Sequence, residues 1–210
     1  KIYLGWYRTE IVLLFRSFFC LKGGFMKVYL VSGKAKHGKD TTGKFIKEKY
    51  LEMGKKSCIM HLSNPIKEYC LKYFGWDGKE EDKPRELMQR LGSEIIRKQL
   101  GKQSFFVDRM TEDIEILSHF FDCFIITDVR LPYEIEELKK RFPHTCSIHI
   151  YRRNFKNPNL SLSEQNHETE VALDDYQAFD YYVYNDTLEQ LQKEIEEIVR
   201  KEEVKDEKND

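Results

Sequence analysis

The stretch Gly33-Lys-Ala-Lys-His-Gly38-Lys39 fits G-x-x-x-x-G-K, and its context constrains the fold more than any other feature of the chain. It follows a short apolar run, Val28-Tyr-Leu-Val31, and opens a segment whose Phe45, Ile46, Tyr50 and Leu51 recur at helical spacing. Glycines at both ends let the backbone curl so that several N–H groups face one anion, and the helix start adds its partial positive charge. The pattern therefore demands a buried strand, a phosphate-binding loop and a helix in that order. Gly33, Lys34, Lys36, Gly38, Lys39, Asp40, Thr41 and Thr42 are the expected loop residues. Asp40 stands where the pattern has Ser or Thr. A carboxylate is also a hard oxygen ligand, so Asp40 is a candidate for Mg²⁺.

Four more apolar runs alternate with helical patterns: Ser57 to Leu62, Phe124 to Thr127, Cys146 to Tyr151 and Tyr181 to Tyr184. Helices are expected over Thr41–Met53, Asn64–Phe74, Pro84–Leu100, Ser104–Phe120, Pro132–Arg141 and Thr187–Val199. Short apolar strands separated by helices predict an α/β fold: a parallel five-stranded sheet with helices on both faces. In such sheets ligands sit beyond the carboxyl ends of the strands, so the residues just after each strand are the ones to read for chemistry.

The chain has 210 residues, enough for one α/β domain. A formal net charge of −1 argues against nucleic acid or an anionic membrane as the partner. Five scattered cysteines form no C-x-x-C pair and no framework spacing, which points to a reducing, cytoplasmic setting. Residues 1–25 have too short an apolar run between Glu10 and Arg16 to span a bilayer. They are expected to be an extension upstream of a start at Met26, the alternative being a membrane- or partner-binding segment. Residues 26–200 then form the domain, and 201–210 a charged tail expected to fray.

At the strand ends, Asp128 is a second candidate for Mg²⁺, and Arg130 a candidate phosphate clamp whose planar fork matches phosphate oxygens. Arg85, Gln89 and Arg97, four and eight residues apart, read as one face of the helix after a polar loop, either an acceptor clamp or a solvated face. Arg152-Arg153 precede an irregular stretch holding His167, Glu168 and Glu170, a lid over about 152–170 that would exclude water on closing. His37 reads as a spacer. No acidic residue follows Asp128 and no Asn-Lys-x-Asp stretch occurs, which argues against a motor ATPase and a GTPase switch.

Ser32-Gly-Lys-Ala-Lys-His-Gly-Lys-Asp-Thr41 resembles the loop of phage and bacterial deoxynucleoside monophosphate kinases, and the likeness continues through the chain. Leu62-Ser-Asn-Pro-Ile-Lys67, Arg85-Glu-Leu-Met-Gln-Arg-Leu-Gly-Ser-Glu94 with Arg97, Thr127-Asp-Val-Arg-Leu-Pro-Tyr-Glu-Ile135, His167-Glu-Thr-Glu170 and Tyr184-Asn-Asp186 follow in the family's order. The resemblance covers Met26 to about Val199. It implies a P-loop NTPase fold of the adenylate-kinase kind with a small lid and acceptor-binding helices. It also implies ATP with Mg²⁺ and a nucleoside monophosphate acceptor. On it, Lys39, Asp40, Arg130 and Arg152 are the expected catalytic residues, and Lys67, Arg85, Gln89, Arg97, Asp128 and Arg130 the expected acceptor ligands.

The animal phosphomevalonate kinases are also similar, with Lys34 and Lys36 matching their loop. Two functions remain beside nucleotide phosphorylation: transfer to another small phosphate monoester, and a nucleotide-gated binding protein. The expected partner is a small phosphate acceptor, with a homodimer left open.

Overall fold

The computed structural model describes residues 26 to 153, Phe155 and residues 168 to 208. The expected N-terminal extension, most of the lid and His167 lie outside the described residues. Five strands, β1 (Lys27–Ser32), β2 (Ser57–Met60), β3 (Cys123–Val129), β4 (Thr145–Tyr151) and β5 (Tyr181–Tyr184), form one sheet in the order β2-β3-β1-β4-β5. Every pairing is parallel. The helices are α1 (Lys39–Glu52), α2 (Asn64–Tyr73), α3 (Arg85–Gln89), a π-helix (Arg90–Gln99), α4 (Phe105–Leu117), α5 (Pro132–Arg141), α6 (Glu168–Val171) and α7 (Leu188–Lys208).

β1 is central and wholly buried, as a strand covered on both faces must be. Its side chains alternate between two cores. Val28 and Leu30 join Phe106, Met110, Ile114, Ile126 and Ile135 on one face. Tyr29 and Val31 join Ile46, Tyr50, Ile125, Ile148 and the α7 residues Leu191 and Ile195 on the other. The polar ends of the strands are thereby fixed at one rim.

At that rim the β1–β3 register slips. Leu30 faces Ile126 but Ser32 faces Val129, so β3 carries one extra residue over this step. Such irregularities bend a strand and re-aim its side chains. Here the slip spans Thr127 and Asp128, the two residues whose side chains reach across to neighbouring segments.

Two expectations need correction. The helix expected over Pro84–Leu100 is α-helical only to Gln89 and then continues as a π-helix. Apolar spacing reports which residues face inward, not which carbonyl each N–H selects, and π segments are rare enough to escape a periodicity reading. The charged tail does not fray after Lys201: α7 runs to Lys208. Its acids have partners. Lys27, buried at the start of β1, donates to Glu202 Oε2 and Asp206 Oδ2, both at 2.7 Å. Tyr181 donates to Glu202 Oε1 at 2.9 Å, and Tyr50 and Lys55 reach Glu203. Burial alone would lower the Lys27 pKa, but the hydrogen bonds it donates to Asp206 and Glu202 carry it above the usual lysine value.

Candidate functional site

The loop between β1 and α1 follows the expected residues. Gly33 and Gly38 have φ of +145° and +106°, which L side chains rarely adopt. Both also lie against other segments. A Cβ at Gly33 would come within 2.5 Å of the Ile150 carbonyl oxygen, and one at Gly38 within 2.4 Å of Asn185 Nδ2. Lys36 is the one non-glycine residue with positive φ, at 63°, among the described residues. Asn185, just after β5, closes the loop by donating to the His37 carbonyl at 2.9 Å.

His37 is no spacer. It is buried, and its Nδ1 accepts from the Arg152 backbone N–H at 3.3 Å, tying the loop to the exit of β4. Burial lowers its pKa, so the ring stays neutral and able to accept.

Lys39 is 8% exposed and donates to the carbonyls of Gly33 and Lys34 at 2.8 and 2.9 Å. Those acceptors are neutral, so its charge is unpaired within the loop. Burial, and then the neighbouring Arg130, bring its pKa down to about 8. A group in this condition gains from any anion that enters.

Asp40 points outward from the first turn of α1. Its Oδ1 accepts from Thr127 Oγ1 at 2.9 Å and lies 3.8 Å from His61 Nε2. His61 first, and then the Thr127 hydroxyl, hold its carboxyl well below the usual range. An exposed, ionised carboxylate suits a hard cation. Thr41 is half-buried beside it, and Thr42 is fully buried, its hydroxyl without a hydrogen-bond partner among the described residues.

Asp128 has a different occupation from the one its position suggested. Its two oxygens accept from the Leu62 and Ser63 N–H groups at 2.7 and 3.0 Å. It therefore clasps the exit of β2 where α2 begins, and only lone pairs beyond these two bonds remain for a metal or an acceptor. Lys67, one turn into α2, lies in the field of Asp128 and Asp40; burial lowers its pKa and those carboxylates partly offset the effect.

Arg130 sits between two acids. Its backbone N–H and that of Leu131 donate to Glu134 Oε2 at 2.8 and 3.1 Å, and its guanidinium pairs with Glu170 Oε1. Glu134 is buried at the third position of α5, where a Glu reaching back to the preceding amides caps the helix. Its other oxygen accepts from Arg97 Nη2 at 2.8 Å, and Arg97 also lies over the Phe106 ring, 4.6 Å from its centroid.

The three residues read as one helical face do not converge. Arg85 turns to Glu80, with Nη2 2.6 Å from Oε1, whereas Arg97 turns inward to Glu134. Even an ideal α-helix rotates about 120° over the twelve residues between them, and the switch to π hydrogen bonding at Arg90 changes the phase again. Gln89 is half-buried at the junction.

Beside the loop, Arg152, Arg153, Phe155, Asn185 and Asp186 line an open cleft of about 480 Å³. Arg152 stacks over Phe155 at 4.4 Å and Arg153 over Tyr184 at 4.2 Å, so both arginines rest on aromatic faces rather than on carboxylates alone. A polar, arginine-walled cleft next to a phosphate loop suits the remainder of a nucleotide.

The family model for deoxynucleotide monophosphate kinases matches residues 71–195. The chain belongs to that family. The matched region begins beyond the phosphate loop and contains Arg85, Gln89, Arg97, Asp128, Arg130, Arg152 and Asn185. Its members are kinases, so the protein is a P-loop kinase acting on a small substrate.

No curated protein matches the chain. Among solved structures it is similar to an APS kinase of Mycobacterium tuberculosis, 11% identical over 84% of this chain and 99% of that one, with a TM-score of 0.47. It is also similar to a shikimate kinase of Aquifex aeolicus (15% identity, 85% and 98% coverage, TM-score 0.47). A gluconokinase of Sinorhizobium meliloti 1021 is a third such structure (11% identity, 85% and 94% coverage, TM-score 0.46).

Of the residues that matter here, sequence reading missed His61, gave Glu134 and Asn185 no role beyond their place in the family's segments, and undervalued His37 and Glu170. Glu134 carried a local signal: a Glu three residues after Leu131 with Pro132 between marks a helix start. The others are defined by contacts with distant segments.

Proposed function

We propose that the protein transfers the γ-phosphoryl group of ATP–Mg²⁺ to the phosphate of a nucleoside or deoxynucleoside monophosphate. The observation that carries this reading is where the family match falls. It spans residues 71–195, which hold the segments expected to bind the acceptor and form the lid, and leaves out the phosphate loop, which unrelated phosphate-binding proteins share.

In this reading the loop amides and Lys39 hold the β- and γ-phosphates of ATP, and the cleft beside Arg152 and Arg153 takes its nucleoside. Lys67 and Gln89 are the acceptor ligands in this reading, and Arg85 joins them on leaving Glu80. Arg97 holds Glu134, which fixes the Arg130 backbone, and Arg130 spans donor and acceptor phosphates. Asp40 fits Mg²⁺: its carboxylate is ionised, outward and next to Lys39. When bound, the ion neutralises charge on the β- and γ-oxygens. Asp128 serves here as the clasp that sets the β2 exit against the loop, with water-mediated contact to the ion as its secondary role. The chain's own groups position two phosphates and neutralise charge, and in-line transfer asks little more of the protein.

Four free thiols among the described residues and the nucleotide chemistry fit a cytoplasmic setting. No helix among the described residues is long and apolar enough to cross a membrane. The test is ADP release from ATP–Mg²⁺ with each ribo- and deoxyribonucleoside monophosphate, and with phosphomevalonate. Turnover with a nucleotide supports the reading; turnover with phosphomevalonate alone sinks it.

A further inference from the structure

The segment 168–174 lays three carboxylates against three cationic elements of the site. Glu168 meets Lys98 of the π-helix at 3.6 Å, Asp174 meets Lys34 of the phosphate loop at 2.9 Å, and Glu170 meets Arg130. The first two pairs are exposed on both sides, so solvent and salt screen them and they contribute little. Glu170 differs. Its side chain is 11% exposed, and its second oxygen accepts from the Ala35 N–H at 3.2 Å. One carboxylate thus grips the guanidinium at the end of β3 and the backbone of the phosphate loop.

We propose that Glu170 is a positioning residue for phosphoryl transfer: it fixes Arg130 and the first turn of the phosphate loop relative to each other. The inference rests on the kinase reading above. A guanidinium has five N–H donors in a planar fork. With one nitrogen held by Glu170, the remaining donors are turned as a unit, and the fork presents a fixed edge to phosphate instead of sampling rotamers. Glu134 fixes the same residue from the other side through its backbone N–H. Arg130 is therefore held at main chain and side chain by two acids from different helices. Placing a charged group before the reaction removes the need to reorganise it at the transition state.

The role is one of position, so kcat and not ATP affinity should register its loss. With the full chain and the best acceptor, Glu170→Gln should lower kcat about tenfold to a hundredfold and leave the KM for ATP within about twofold. Arg130→Ala should lower kcat at least as far, and Glu170→Gln should cost nothing further in that background, because the two residues act as a unit. Losses that multiply, an unchanged kcat, or tighter ATP binding in Glu170→Gln would each overturn the proposal, the last by showing that the carboxylate competes with phosphate.

Amide hydrogen exchange at Ala35 reads the clip without any acceptor: Glu170→Ala should lose about tenfold or more in protection, and unchanged protection refutes it. Should Glu170→Ala fail to fold, the same readout in Glu170→Asp, whose shorter side chain cannot hold both partners, decides the matter. A wild-type enzyme silent with every acceptor counts against the kinase reading, while the Ala35 exchange still tests the clip.

Discussion

Raising the pH through the Lys39 transition should weaken ATP binding by a predictable factor. In the protein this lysine has a pKa of about 8, depressed chiefly by burial and then by Arg130, with Glu170, Asp40 and Asp128 pulling the other way. Bound phosphate supplies the missing negative partner and returns the pKa toward or above its usual value near 10.4. ATP binding is then coupled to proton uptake by Lys39 above pH 8. If only the ammonium form binds, affinity falls about eightfold between pH 7.5 and pH 9, close to a tenfold step of about 1.4 kcal/mol. The γ-phosphate of ATP is already ionised across this window, so its own titration does not intervene.

The same shift acts on the fold with a definite sign. The unfolded lysine holds its proton to higher pH than the folded one, so stability rises with pH between about 8 and 10.4. Below pH 8 the buried charge costs about 3 kcal/mol. The loop is more stable without the charge that the proposed reading assigns to ATP binding. The assay is calorimetric titration with ATP–Mg²⁺ at pH 7.5, 8.2 and 9.0 in two buffers of different ionisation enthalpy, which yields affinity and proton uptake together. Lys39→Arg should bind with no pH dependence here, since a guanidinium does not titrate below pH 12. An affinity flat to within twofold, with no proton uptake at pH 9, would refute the reasoning.

Three further outcomes follow. Gly38→Ala places a methyl against Asn185 at a φ of +106° and should abolish measurable ATP binding in a protein that still folds, read by calorimetry and circular dichroism. Lys27→Met removes the cation shared by Glu202 and Asp206 at the buried foot of β1 and should cost about 3 kcal/mol in urea unfolding, since Glu202 then keeps only Tyr181 and Lys205, and Asp206 only His144; a loss under 1 kcal/mol refutes the clamp. Asp128→Ala frees the Leu62 and Ser63 amides and should raise the acceptor KM more than the ATP KM, because α2 carries Lys67, an acceptor ligand in the proposed reading; equal effects would contradict that assignment.

What was legible in the sequence follows from what local patterns encode. The phosphate loop was legible because its glycines, its lysine and the flanking strand and helix are contiguous, and α5 begins at Pro132 and ends in its basic last turn, as those signals indicate. Asp128 and Arg130 were found because a parallel sheet brings strand ends to one rim. The jobs of these residues were less visible. Whether Asp128 meets a metal or two amides depends on Leu62 and Ser63, 66 and 65 residues away.

The C-terminal acids looked like a solvated run because their partner, Lys27, lies 175 residues earlier at the far end of a central strand. The π-helix was hidden for another reason. Leu91 and Ile96, which pack on the core, fit an α pattern and a π pattern nearly equally, and only the backbone hydrogen bonds tell them apart.

The central claim, transfer of phosphate from ATP to a nucleoside monophosphate, is tested most directly by detecting the product. The enzyme should be incubated with γ-labelled ATP, Mg²⁺ and each monophosphate in turn, and the label followed to the acceptor. Label in a nucleoside diphosphate, formed at rates above about 1 per second and lost in Lys39→Ala, is the result this account expects. Label released only as inorganic phosphate, or recovered only in phosphomevalonate, would contradict it.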